Sequence, residues 1–110
     1  MNTKLVESLA EAIISLPTED YALFQNTLMD KMIQKTPGVS GGHACVRDTR
    51  IAIWTIISFY EQGADDNELL TNFPGITAFD LFAIRHYYQS HQQEIDSLIS
   101  SHHQEENWDV

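Results

Sequence analysis

Thr36-Pro37-Gly38-Val39-Ser40-Gly41-Gly42-His43-Ala44-Cys45-Val46-Arg47-Asp48-Thr49-Arg50-Ile51 is the stretch on which the reading of this chain turns. It holds three of the five glycines and two of the six basic residues, and it has no helical period. Glycine serves where a backbone takes positive φ or lets another group come close. A glycine-rich segment closing on Arg47-x-x-Arg50 therefore joins shaped backbone to concentrated positive charge. That pairing suits an anion, a nucleic-acid backbone or an acidic neighbour within the fold. Short extended pieces are expected around Val39-Ser40 and Arg50-Ile51, with a Gly41-Gly42 turn between them.

On either side the sequence reads as helix. Leu5, Leu9, Ala12, Ile13 and Leu16 recur on one face, an amphipathic stripe that Leu16-Pro17 ends, because the residue before proline disfavours the α region. Thr18 is placed to cap a second helix, with Glu19 and Asp20 in its first turn. That helix is expected to run to about Gln34, burying Tyr21, Phe24, Leu28 and Met32. Leu23, Met29 and Ile33 widen its apolar surface, so the hairpin should pack on the rest of the chain or on another subunit.

After the arm, Trp54 to Glu61 reads as a helix stopped by Gly63 in the left-handed region. Asp65 or Asp66 opens a short helix to about Asn72, and Phe73-Pro74-Gly75 forces a turn. Thr77 and Asp80 stand at capping-box spacing, with aspartate in place of the usual Glu or Gln. Ile76 and Leu81 are placed for a hydrophobic staple. The last helix is expected through Leu81, Ile84, Tyr87 and Tyr88 and on past Ile95 to Leu98 and Ile99. Phe79 and Phe82 count as core by helical spacing. Residues 100–110 form a polar, acidic tail with Trp108 its lone large apolar residue.

A chain of 110 residues supports one core. No segment approaches the ~18 consecutive apolar residues of a membrane span, and Glu7 and Glu11 interrupt any signal-peptide core. Cys45 is the single cysteine, so no internal disulfide can form; a reducing, cytoplasmic setting is expected. The net charge of −10 is uneven. Three Lys and five acids give −2 over residues 1–36, Arg47 and Arg50 against Asp48 give +1 over 37–51, and Arg85 against ten acids gives −9 over 52–110. Such a surface repels phosphate backbones and favours basic partners.

The run Pro37-Gly38-Val39-Ser40-Gly41-Gly42, with Cys45-Val46-Arg47, Thr49-Arg50-Ile51 and Trp54, resembles the family known as domain of unknown function 433. The likeness continues through Gly63, Leu69-Leu70, Phe73-Pro74, Ile76-Thr77, Asp80-Leu81, Tyr87-Tyr88 and Glu94-Ile95-Asp96, covering roughly residues 34–98. The resemblance implies a small cytoplasmic prokaryotic protein with a homeodomain-like three-helix core. For some members it implies an antitoxin encoded beside a toxin similar to PIN-type ribonucleases. Where that family reads Arg-Gly-Thr-Arg, this chain has Arg47-Asp48-Thr49-Arg50. Aspartate tolerates the left-handed region, so the turn can survive. Its carboxylate partly neutralises the two arginines.

Arg47 and Arg50 could fork a phosphate or a partner's carboxylates, or could hold the loop down by pairing with Asp48 or with acids of the core. Thr49 and Arg85 complete the candidate contacts to a partner or nucleic acid. Pro37, Gly38, Gly41, Gly42, Gly63 and Pro74 are the candidates for shaping the arm and turns. His43, Cys45, His86, His91, His102 and His103 lack zinc-ligand spacings, and the glycines lack a phosphate-loop pattern. No catalytic, metal or cofactor signature is present. The helix, short helix, turn, long helix order over 54–99 is that of a helix-turn-helix, but its last helix offers Arg85, His86 and Gln89 amid acids, a poor footprint for reading a groove.

The expected architecture is all-α, in three parts. Residues 1–35 form an N-terminal helical hairpin, 36–99 the arm with short β pieces and a helix-turn-helix core, and 100–110 the tail. The expected function is non-catalytic: the antitoxin of a type II toxin–antitoxin pair, binding and neutralising a PIN-like ribonuclease. The alternative is a DNA-binding transcriptional regulator. Self-association as a homodimer or higher homo-oligomer is expected, and no membrane partner.

Overall fold

The structure, a computed structural model, describes residues 2–108, with side chains through His102. Among these residues the fold is mostly helical, six α-helices and one two-stranded sheet, in two compact units of residues 1–30 and 31–110.

The first unit is a hairpin of α1 (Thr3–Ile14) and most of α2 (Thr18–Met32). Pro17 separates them, and the Tyr21 hydroxyl donates to the Ile14 carbonyl at 3.1 Å across the turn. Thr18 is the first residue of α2 rather than a cap outside it. The expected apolar stripe forms, yet none of its residues is buried; Leu5 and Leu9 stay half exposed. In α2, Tyr21 is exposed, and Phe24, Leu28 and Met32 are half-buried.

In the second unit the arm departs from expectation. α2 ends at Met32, and Ile33 opens β1 (Ile33–Lys35), which pairs antiparallel with β2 (Ala44–Val46) in the register Ile33↔Val46, Gln34↔Cys45, Lys35↔Ala44. The extended pieces expected at Val39-Ser40 and Arg50-Ile51 are not the strands. Ser40 begins a 3-10 turn through Gly42, and only Ala52 joins the ladder, through a bridge to Cys45. The β-branched Ile33 and Val46 gain burial by pairing where they do. The loop between the strands begins with a proline turn in which the Val39 N–H donates to the Thr36 carbonyl at 3.1 Å. Pro37 stands second in that turn and Gly38, with φ 82°, third, the type II pattern. Ser40, Gly41 and Gly42 then take φ of 48°, 69° and 79° in succession.

α3 (Ile53–Glu61) carries the buried Ile53, Ile56 and Ile57 and closes in a Schellman motif. The Gly63 N–H donates to the Tyr60 carbonyl and the Ala64 N–H to the Phe59 carbonyl, both at 3.0 Å, with Gly63 at φ 99°. α4 (Asp66–Asn72) is capped by Asp65, whose side chain accepts from the Glu68 N–H. Pro74 stands second in a turn closed by the Ile76 N–H on the Phe73 carbonyl. α5 (Ala78–Ser90) opens with both halves of the expected Thr77/Asp80 capping box formed.

The last helix does not run unbroken to Ile99. α5 stops at Ser90, and α6 runs Gln92–Trp108. The break falls at His91. Its ring lies flat on Tyr87, with centroids 3.8 Å apart, and its Nδ1 is 2.9 Å from the Tyr87 carbonyl. That carbonyl would otherwise take the His91 N–H, which instead donates one residue further on, to Tyr88. α6 continues through the segment expected as a polar tail; the Trp108 side chain and residues 109–110 lie outside the described residues. The core holds Val46, Ile53, Ile56, Leu69, Leu81, Ile84 and Ile95, all nearly free of solvent contact, each contributing roughly 1.5–3 kcal/mol by burial.

Candidate interaction surface

The turn after β2 sets the first cluster. The Thr49 N–H donates to the Val46 carbonyl at 2.9 Å; the Thr49 hydroxyl donates to the same oxygen at 2.6 Å and accepts from the Ile51 N–H. The left-handed residue in this turn is Arg47, at φ 45°, and not Asp48. Aspartate in the glycine position of the family pattern therefore meets no backbone penalty. That backbone turns the Arg47 side chain inward, toward the start of α5.

There its Nε donates to Asp80 Oδ1 at 2.9 Å, and its Nη2 donates to Asp80 Oδ2 at 2.8 Å and to the Gly75 carbonyl at 3.0 Å. The Asp80 side chain is 1% exposed. Hydrogen bonding from Arg47 holds the Asp80 carboxyl below the usual carboxylate range against the opposing effect of burial, with help from the Thr77 N–H. The same bond raises the Arg47 guanidinium. Asp48, 91% exposed, reaches Arg47 at only 3.9 Å.

Arg85 belongs to a second cluster, between α3, α4 and α5. Its Nη1 donates to the Tyr60 hydroxyl at 2.9 Å and to Asp66 Oδ1 at 3.1 Å, and the Tyr60 hydroxyl donates to the same Asp66 oxygen. Burial and then the bond to Asp66 push the Tyr60 phenol up to about 12. Beside it lies a hollow of about 300 Å³ lined by Ile57, Tyr60, Glu61, Arg85 and Tyr88. The Tyr88 hydroxyl donates to Asp96 at 2.8 Å, which pushes its phenol up to about 12.

A third pair ties the sheet to α6. Lys35 Nζ is 2.8 Å from Glu94 Oε1, and the Tyr87 hydroxyl donates to Glu94 Oε2 at 3.0 Å. Burial works to raise the Glu94 carboxyl, but the bonds from Lys35 and Tyr87 outweigh it and leave it lowered.

Of the sequence candidates, Arg47, Thr49 and Arg85 are thus held by separate neighbours. Arg50 is exposed, and among the described residues its guanidinium has no partner; only its carbonyl is engaged, by the Ser40 hydroxyl at 3.0 Å. Cys45 is buried and free, its thiol pointing to the His43 carbonyl. Among the described residues, no three His, Cys, Asp or Glu side chains gather as a metal site would need, and no helix is long and apolar enough to cross a membrane.

Phe79 and Phe82 reverse the sequence expectation. They are 49% and 51% exposed on the outer face of α5, with ring centroids 5.9 Å apart, and His86 continues the row 6.4 Å beyond Phe82. Leu81, Ala83 and Ile84 supply the buried face instead. The signal was present in the sequence: residues 79, 82 and 86 recur on a second stripe, apart from 81 and 84. Sequence reasoning also missed Asp66, Asp80 and Glu94 as partners of specific cations.

Comparison with known proteins places these features in context. The family described as Protein of unknown function (DUF433) matches residues 33–88, from the first residue of β1 to the later part of α5. The crystal structure of a DUF433 member protein from Anabaena variabilis is similar to this chain at 47% identity and a TM-score of 0.63, over 91% of this chain and 99% of that one. No curated protein matches the chain.

Proposed function

The chain belongs to the DUF433 family of proteins of unknown function, and from that premise we propose a non-catalytic binding role, as the antitoxin of a type II pair that neutralises a PIN-like ribonuclease. The observation that carries the reading is where the charge goes. Of the five cations in residues 31–110, Lys35, Arg47 and Arg85 are closed into pairs with Glu94, Asp80 and Asp66. Asp48, Glu61, Asp65, Glu68 and Asp96 face solvent. A surface on which three of five cations are already paired with carboxylates while further carboxylates face solvent favours basic partners over nucleic acid. A basic, RNA-binding protein is the partner that this field suits.

The alternative, a DNA-binding regulator with a homeodomain-like core in α3, α4 and α5, draws on the order of those helices. Arg85, the only arginine or lysine on α5, is engaged by Asp66, which argues for a scaffold role.

Co-expression with the product of the adjacent reading frame tests the proposal. A stable complex in which RNA cleavage by the partner is suppressed is the expected result. Failure of the purified pair to associate would sink it. A mobility shift of promoter DNA by this chain alone at low salt, where electrostatic binding is strongest, would favour the regulator.

A further inference from the structure

We infer that the outer face of α5 is a self-association surface, on which a second copy of this chain docks antiparallel through Phe79, Phe82 and His86. Three observations point there. The three rings form a continuous row at spacings of three and four residues, and both phenylalanines are about half exposed. Aromatic surface of this kind on an otherwise acidic protein marks a contact face.

The charge pattern selects the occupant. α5 itself carries no free carboxylate: Asp80, its only acid, is buried and paired with Arg47. Two copies of a chain with net charge −10 repel over most of their surfaces. Where α5 meets α5, the helices themselves bring no free carboxylates together. A basic partner, by contrast, finds nothing on the row to pair with and would be drawn to the acidic faces elsewhere.

The row is also complementary to itself. Two α5 helices crossing antiparallel at Phe82 set Phe82 against the second copy's Phe82, and Phe79 against the second copy's His86. The two-fold arrangement makes every contact twice, as an isologous interface requires, and pairs ring with ring in geometries that aromatic side chains favour. The inference does not depend on the antitoxin reading and holds whether or not a toxin exists.

Sedimentation of the full-length chain is the test. The wild-type chain is expected to sediment as a dimer and Phe79→Ser/Phe82→Ser as a monomer with unchanged helical circular dichroism. Leu5→Ser/Leu9→Ser, on the exposed stripe of α1, should leave the dimer intact. Because both phenylalanines are exposed, the double variant is expected to fold; mild oxidation of Phe82→Cys provides a second readout that does not depend on it. Across a two-fold axis at residue 82 that variant should form a covalent dimer, while Gln89→Cys, away from the axis, should not. A monomeric wild type, a dimer that survives Phe79→Ser/Phe82→Ser, or equal cross-linking of the two cysteine variants would overturn the inference.

Discussion

One oxygen of Asp80 serves two elements at once: Oδ2 accepts the Thr77 N–H that caps α5 and the Arg47 Nη2 that arrives from the arm, each at 2.8 Å. The helix cap and the arm clasp are therefore a single electrostatic unit. Neither half can be altered without exposing the other to an unmatched charge. The first two predictions follow from this sharing.

Arg47→Ala is expected to destabilise the folded chain by about 2–4 kcal/mol, because it strands a carboxylate already out of water. Asp48→Ala, which removes a distant and exposed neighbour, should change stability by less than about 0.5 kcal/mol. Urea denaturation of the two variants beside the wild type checks the contrast. Equal costs would show that the clasp is no more than a surface ion pair.

The Asp80 carboxyl is lowered in the folded chain, so its contribution is fully present above the ordinary aspartate value of about 3.9 and is lost as pH falls through the lowered native value. The stability gap between wild type and Arg47→Ala should be steady near neutral pH and shrink on acidification, starting where the stranded, buried Asp80 of the variant takes up a proton, above the lowered wild-type value. Thermal melts at stepped pH measure it. A gap that widened on acidification would contradict the sign.

Gly63 holds φ 99° with nothing near the position that a Cβ would take, so only the backbone opposes substitution. Gly63→Ala should cost about 1–2 kcal/mol, and Gly63→Asn distinctly less, since asparagine enters the left-handed region more readily. Chemical denaturation of both variants checks the order; a larger loss with Asn would mean that side-chain space, not φ, sets the cost.

Tyr60 is pushed up to about 12 by burial and by its bond to Asp66. In Asp66→Asn its ionisation should begin at lower pH, read as tyrosinate absorbance in an alkaline titration. An unchanged titration curve would mean that burial alone protects the phenol.

Several parts of this fold are legible in the sequence because each rests on neighbours in sequence. The Thr77–Asp80 box, the Asp65 cap and the Gly63 stop depend on residues within a turn or two of one another. The strands were not legible in the same way. Ile33 fits a helical apolar stripe as well as a strand, and only pairing with Val46, thirteen positions on, decides between them. The break at His91 was hidden because side-chain groups of Ser90 and His91 crowd the Tyr87 carbonyl that the helix would use, which periodicity does not register. The aromatic row was hidden for a further reason: hydrophobic spacing shows which residues share a face, not which face is turned inward. Arg47 was picked out by its charge, but its partner came from the far side of the arm.

Trp54 on α3 lies flat against His102 near the end of the described side chains, their ring centres 3.9 Å apart and their planes 14° from parallel. A ring stacked on the indole alters its emission, and the change is lost when the two part. The protein thus carries its own optical gauge of whether the outer half of α6 is seated on α3. With Trp108 replaced by Phe to silence the second indole, the brightness of Trp54 alone would report that docking in real time, with no added label.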